Sequence, residues 1–209
     1  MFEITIDKEK VNEMPVLTYA GDIYVIDSPG QVNAAVAALR KQELVGFDTE
    51  TRPSFRRGEL HKTALIQLAT EHECFLFRLN KIGIPAKLQS YLEDASCTKV
   101  GLSVHDDFHT MQRSYPLNPG GFIELQELVR SFQIAEMGLQ KIYAILFGQK
   151  ISKSQRLTNW EASTLSEAQQ HYAAIDAWAC INIYKKLRDG DFIPEQSPYY
   201  HKVVSEDIE

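Results

Sequence analysis

Short apolar runs alternate with amphipathic stretches along most of the chain. Residues 21–27 form a strand pattern bounded by turn residues, and a helix follows over 31–42 with Val32, Ala35, Val36 and Leu39 on one face. Residues 45–48 read as a strand. Residues 64–69 alternate and pair with 74–77 across the polar turn Thr70-Glu71-His72-Glu73. The pattern then predicts helix over 84–92, a buried strand over 99–104 and helix over 106–114. Residues 123–129 fit either state. A helix over 139–147 is stopped by Gly148, and Ser166-Glu167-Ala168-Gln169 has capping-box spacing ahead of a long helix ending near Leu187. Residues 1–20 read as an N-terminal extension, 21–187 as an α/β domain, and 188–209 as a polar tail or a strap across the surface.

Composition narrows the class. A chain of 209 residues suits one such domain, and a hydrophobic content of 44% can fill its core. No apolar run approaches the roughly 20 residues that cross a bilayer, and the opening Met-Phe-Glu-Ile-Thr-Ile-Asp-Lys lacks a signal-peptide pattern. Cys74, Cys97 and Cys180 are scattered without metal or disulfide spacing, so a reducing cytoplasm is expected. The net charge of −6 argues against a non-specific nucleic-acid coat, though not against an enzyme whose acids hold metal. Basic residues are locally clustered: Arg52, Arg56, Arg57 and Lys62 in one stretch, Lys141, Lys150, Lys153 and Arg156 in another. Both clusters suit phosphate contacts.

The chemistry sits in acids that punctuate the apolar runs. Leu44-Val45-Gly46-Phe47 leads into Asp48-Thr49-Glu50, and alternation along a strand puts both carboxylates on one face. Like charges held that close repel, and a hard divalent cation with oxygen ligands relieves the repulsion. The same spacing in Asp207-Ile208-Glu209 follows no buried strand and carries no such meaning. Further acids lie at Asp106 and Asp107, and at Asp176 on the last helix.

That helix also separates two candidate partners of Asp176. Residues four apart share a helical face, whereas residues five apart are turned by about 140°. Tyr172 therefore faces the same way as Asp176, and His171 points elsewhere. His105 and His109 have helical zinc spacing, but Asp106 stands where the protease motif needs Glu and no third ligand is evident.

Taken in order, Phe47-Asp48-Thr49-Glu50, Val100-Gly101-Leu102-Ser103-Val104-His105-Asp106-Asp107 and Tyr172-Ala-Ala-Ile-Asp176 resemble the DEDD 3′→5′ exonucleases. The match is to the tyrosine subclass, which includes ribonuclease D and the Werner-type exonuclease domain. It runs from about Gly21 to Leu187 and includes Phe55-Arg56-Arg57-Gly58, the segment 63–68 and Thr158-Asn159-Trp160.

The resemblance implies a ribonuclease H-like α/β fold whose mixed central sheet is flanked by helices. It implies that Asp48, Glu50, Asp107 and Asp176 hold two divalent cations, Mg²⁺ or Mn²⁺, about 3.5–4 Å apart. Tyr172 would orient water, Glu50 would also receive the terminal 3′-hydroxyl, and a nucleoside 5′-monophosphate would leave. Asp107 is preferred to Asp106 because a bulky apolar residue, Met111, follows four later. Thr49, Thr51, Arg56, Arg57, Lys153 and Arg156 are expected to contact the substrate, a nucleic acid with a free 3′ end, with DNA favoured over RNA. Thr51 stands where relatives often carry a large aromatic, which weakens stacking on the terminal base. With no helicase module in the sequence, a helicase, another partner protein or a homo-oligomer is expected to supply processivity or targeting. The alternatives are a catalytically silent nucleic-acid-binding module of the same fold and an RNA-trimming exoribonuclease.

Overall fold

The computed structural model describes residues 2–56 and 58–202; Arg57 and the Asp207-Ile208-Glu209 pattern lie outside the described residues. In chain order the first elements are β1 (Phe2–Ile4), α1 (Lys8–Glu13), β2 (Asp22–Ile26), α2 (Pro29–Leu39), β3 (Leu44–Thr51), β4 (Thr63–Ala69) and β5 (Glu73–Arg78). Next come α3 (Leu79–Ile82), α4 (Ala86–Leu92), β6 (Thr98–Gly101), α5 (Val104–Gln112), β7 (Phe122–Glu124) and α6 (Leu125–Ser131). The long helices α7 (Leu139–Phe147) and α8 (Glu167–Arg188) follow, and β8 (Tyr200–Lys202) closes the described chain.

The main sheet runs β2-β5-β4-β3-β6-β7. β4 is antiparallel to both β3 and β5, while β2 with β5, β3 with β6 and β6 with β7 are parallel. It is a mixed sheet with a helical layer on each face. One face packs Leu65, Leu76 and Val100 against Ile142, Ala177 and Ile181 of α7 and α8. The other packs Phe47, Ile66 and Phe77 against Val36, Leu88 and Met111 of α2, α4 and α5.

Several boundaries have identifiable causes. α2 begins at Pro29, where the ring pre-sets a helical φ, and the Gln31 side chain accepts from the Ser28 N–H at 3.0 Å. The helix expected over 84–92 begins only at Ala86, because Pro85 disfavours helical backbone at Ile84, and a separate short helix, α3, closes before it at Gly83 with a φ of 62°. β6 stops at Gly101 rather than Val104. Ser103 adopts a left-handed φ of 62° and turns the chain into α5. The ambiguous stretch at 123–129 is the end of a strand followed by a helix, with Glu124 as the junction.

The segment read as an N-terminal extension is packed into the α8 face of the core. Ile4 is fully buried, Ile6, Val11, Leu17 and Tyr19 nearly so, and β1 pairs antiparallel with β8. Leu17 N–H donates to the Lys150 carbonyl at 2.8 Å, and Lys150 N–H donates to Pro15 at 2.9 Å. Of the two forms expected for the region after residue 187, the described part is a strap.

Candidate active site

β3 projects Asp48 and Glu50 toward the α8 face, opposite Gln67 and Leu65 of β4. α8 crosses β3 at a close approach, made possible by Gly46. A Cβ there would fall 1.9 Å from the Ala177 carbonyl oxygen, so any side chain would push the helix away. The neighbouring residue Asp176 is thereby carried to the end of β3. Carboxylate oxygens of Asp48, Glu50 and Asp176 all lie within 4.8 Å of one another. The helix itself is started by a reciprocal cap: Gln169 N–H donates to Ser166 Oγ at 3.2 Å, and Ser166 N–H donates to Gln169 Oε1 at 3.0 Å.

Asp107, on α5, lies beside this group without joining it within 4.8 Å, near enough for its charge to act on Glu50 and for that of Asp48 to act on it. Thr49, between the two β3 acids, donates its hydroxyl to Asp107 Oδ1 at 2.5 Å and so ties α5 to β3. Asp106 is exposed, whereas Asp107 is half-buried and close enough to Asp48 for their charges to interact. The start of α5 is held by Glu124, whose carboxylate accepts from Ser103 N–H at 2.9 Å, Val104 N–H at 2.7 Å and Gln126 N–H at 2.9 Å.

The cluster is short of positive charge. None of its four carboxylates is in an ion pair among the described residues. Burial, then the Asp176 charge, pushes Asp48 well above the usual carboxylate range. Burial and the charges of Asp48, Asp176 and Asp107 push Glu50 up to about 10, with Arg156 pulling weakly back. Asp107 is raised to about 8 by burial and Asp48, and Asp176 to about 7 by burial, against a Tyr172 hydrogen bond and Lys153. Oxygen-only donors, one buried and the others half-buried, that repel one another suit a hard divalent cation, so the residues present fit the metal that the motifs imply. Gln67, fully buried and opposite Asp48 in register, has neither amide atom hydrogen-bonded to a described residue.

Tyr172 lies one turn before Asp176, half-buried, with its ring 6.0 Å from the buried Trp160. Its phenol is pushed far above its ordinary range by burial and by the charges of Asp176 and Glu50, so it stays protonated. His171 is turned toward Glu167 at 3.9 Å, with its side chain 44% exposed. A cleft of about 990 Å³ opens from the cluster; Lys153, Arg156, Asp48, Tyr172 and Asp176 line it.

The other expected contacts are placed differently. Thr49 directs its hydroxyl to Asp107, Thr51 is half-buried at a register shift between β3 and β4, and Arg56 is exposed on the following loop, outside the cleft wall. His105 and His109 are exposed. Sequence reasoning missed Glu124 and the clamp by Thr49. Both work through contacts between distant segments, and their only local trace is an acid just before a helix and a Thr between acids.

A mixed sheet whose central strand ends in paired acids, met by an acid and a tyrosine on a crossing helix, defines a metal-dependent nuclease site. The chain belongs to the 3′-5′ exonuclease family, whose model matches residues 23–190. It is 32% identical over 155 residues to the mouse bifunctional 3′-5′ exonuclease/ATP-dependent helicase WRN, covering 71% of this chain and 11% of that protein. An Arabidopsis thaliana 3′-5′ exonuclease is 34% identical over 152 residues, 69% of this chain and 52% of the relative. The chain therefore spans about half or less of the length of these relatives. Among solved structures, the Aedes aegypti Nibbler EXO domain superposes with a TM-score of 0.74 at 22% identity, over 86% of this chain and 96% of that one. Escherichia coli RNase D, an exoribonuclease involved in structured RNA processing, superposes with a TM-score of 0.71 at 26% identity. That match covers 80% of this chain and 44% of the other. The fold is that of the ribonuclease H-like exonuclease domains.

Proposed function

We propose that this chain removes nucleotides one at a time from the 3′ end of a nucleic acid, with two divalent cations, Mg²⁺ or Mn²⁺, held by Asp48, Glu50, Asp107 and Asp176. The observation that carries the reading is three carboxylates within 4.8 Å of one another, without a cationic partner among the described residues, at the mouth of a basic cleft. Bound there, the ions would lower the pKa of the attacking water and offset charge on the phosphoryl oxygens.

The chain's own groups do the rest. Tyr172 stays protonated at neutral pH, so it acts as a hydrogen-bonding guide for the water and not as a base. Glu50, at the end of β3, accepts the 3′-hydroxyl of the terminal nucleotide and thereby registers a free end. Lys153 and Arg156 stand close enough to act on Asp176 and Glu50 and are positioned for the phosphates of the substrate. The product is a nucleoside 5′-monophosphate.

The resemblance to the Werner-type domain favours DNA as the polymer, and a relative that is both exonuclease and ATP-dependent helicase supports a helicase as a partner activity. A second reading, trimming of RNA, is supported by the similarity to RNase D. The test is degradation of 5′-labelled single-stranded DNA, recessed duplex DNA and RNA of one sequence, with Mg²⁺ or Mn²⁺, beside Asp48→Ala. A metal-dependent ladder shortening from the 3′ end, lost in the variant, supports the reading and identifies the polymer. Binding without degradation of any substrate would replace it with a silent binding module.

A further inference from the structure

The cleft extends well past the acidic cluster, and its far wall is built by the N-terminal segment. Lys8 and Asn12 of α1 line it together with Lys141, Lys150, Lys153 and Arg156. Apart from Asp48 and Asp176, every charged residue on this wall is basic, in a chain whose net charge is −6. Such segregation is specific to this face. The cavity of about 900 Å³ at the opposite end of the sheet intersperses Lys41 and Lys185 with Glu43, Glu71 and Glu73.

The basic wall is also held in place. Lys150 bonds through its backbone to Pro15 and Leu17 and through its ammonium to the Asn12 carbonyl. Glu136 accepts from Ile6 N–H at 3.2 Å and pairs with Lys141 at 2.9 Å. β1 is fastened at its other side by Ile4 N–H donating to Gln133 at 2.9 Å. Lys8, exposed at the lip, has no carboxylate partner among the described residues. A fixed row of cations leading away from a site that cuts terminal phosphodiesters matches a chain of phosphates, with one charge per nucleotide.

We propose that the N-terminal segment is part of the substrate track, with Lys8, Lys141 and Lys150 holding phosphates on the 5′ side of the bond to be cut. This rests on the exonuclease reading of the acidic end. The track fits a single strand, whose phosphates can follow the cleft one by one, and each contact releases counterions.

The experiment measures equilibrium binding of a labelled single-stranded twelve-nucleotide oligothymidylate in EDTA, across a salt series, for the unmodified chain, Lys8→Ala and Lys41→Ala. Losing one phosphate contact lowers the log–log salt slope by about 0.7, so the affinity penalty between about 50 and 200 mM salt shrinks about 2.6-fold. The track requires this change in Lys8→Ala, weaker binding at low salt, and neither change in Lys41→Ala at the other end of the sheet. Identical slopes and affinities for Lys8→Ala and the unmodified chain would overturn it, as would an equal loss in Lys41→Ala. Shortening of the same strand on adding Mn²⁺ is scored separately. Shortening without a Lys8 effect removes only the track, and a Lys8 effect without shortening removes only the exonuclease reading.

Discussion

Asp176→Asn in the metal-free protein isolates the cost of burying one carboxylate of the cluster without a cation. Asp176 rises from the ordinary 3.8 to about 7, chiefly because α8 buries it. In the folded state the group holds its proton more tightly than in the unfolded chain. Its contribution is therefore full below 3.8 and is lost as pH rises through about 7. A rise of about three pH units corresponds to about 4 kcal/mol of destabilisation above the folded pKa, at about 1.4 kcal/mol per unit. Near pH 5 the unfolded carboxyl is only partly past its own pKa, and the penalty falls below about 2 kcal/mol. Asparagine keeps the size and can still accept from Tyr172, while removing the charge.

The assay is thermal unfolding in EDTA near pH 9 and near pH 5, then near pH 9 with Mn²⁺ added. Near pH 9 Asp176→Asn should melt higher by roughly 8–16 °C, at 2–4 °C per kcal/mol for a chain of this size, and the gap should narrow near pH 5. Mn²⁺ should raise the melting point of the unmodified chain by more than that of the variant, reversing or closing the gap. A variant that melts lower than the unmodified chain in EDTA near pH 9, or a gap independent of pH, would refute the reasoning.

Other consequences concern the groups around the acids. Tyr172→Phe should lower the degradation rate about 10²-fold or more while calorimetry shows Mn²⁺ binding retained, and His171→Ala should stay close to the unmodified rate; equal damage from both would undo the helix-phase argument. Thr49→Val removes the 2.5 Å hydrogen bond that aims Asp107, and Mn²⁺ titration should read an affinity weaker by about 10-fold or more. Gly46→Ala places a methyl against the Ala177 carbonyl, and denaturant unfolding should show a loss of at least about 1–3 kcal/mol, together with reduced activity as α8 is displaced from β3.

Local patterns made much of this molecule legible. Alternation in β3, β4 and β5 and the reciprocal Ser166–Gln169 cap of α8 are properties of residues a few positions apart, so they are written in the chain. The shared face of Asp48 and Glu50, and of Tyr172 and Asp176, follows from the same periodicities. Phe2, Ile4 and Ile6 alternate as a strand does, yet β1 exists because β8 returns to pair with it, nearly the whole chain later. The helix expected over 84–92 starts two residues late because Pro85 disfavours helical backbone at Ile84, an effect that is local and visible.

What the sequence alone determined is the inventory: which acids, which tyrosine, and the element and face each occupies, because strand and helix geometry repeat over a few residues. The tertiary structure decided which groups meet. It turned Asp107 inward and left Asp106 in solvent, gave Thr49 to Asp107, set Glu124 under the start of α5, and folded the N-terminal segment along the cleft. Those outcomes depend on packing and hydrogen bonds between segments far apart in the chain, and no local periodicity encodes them.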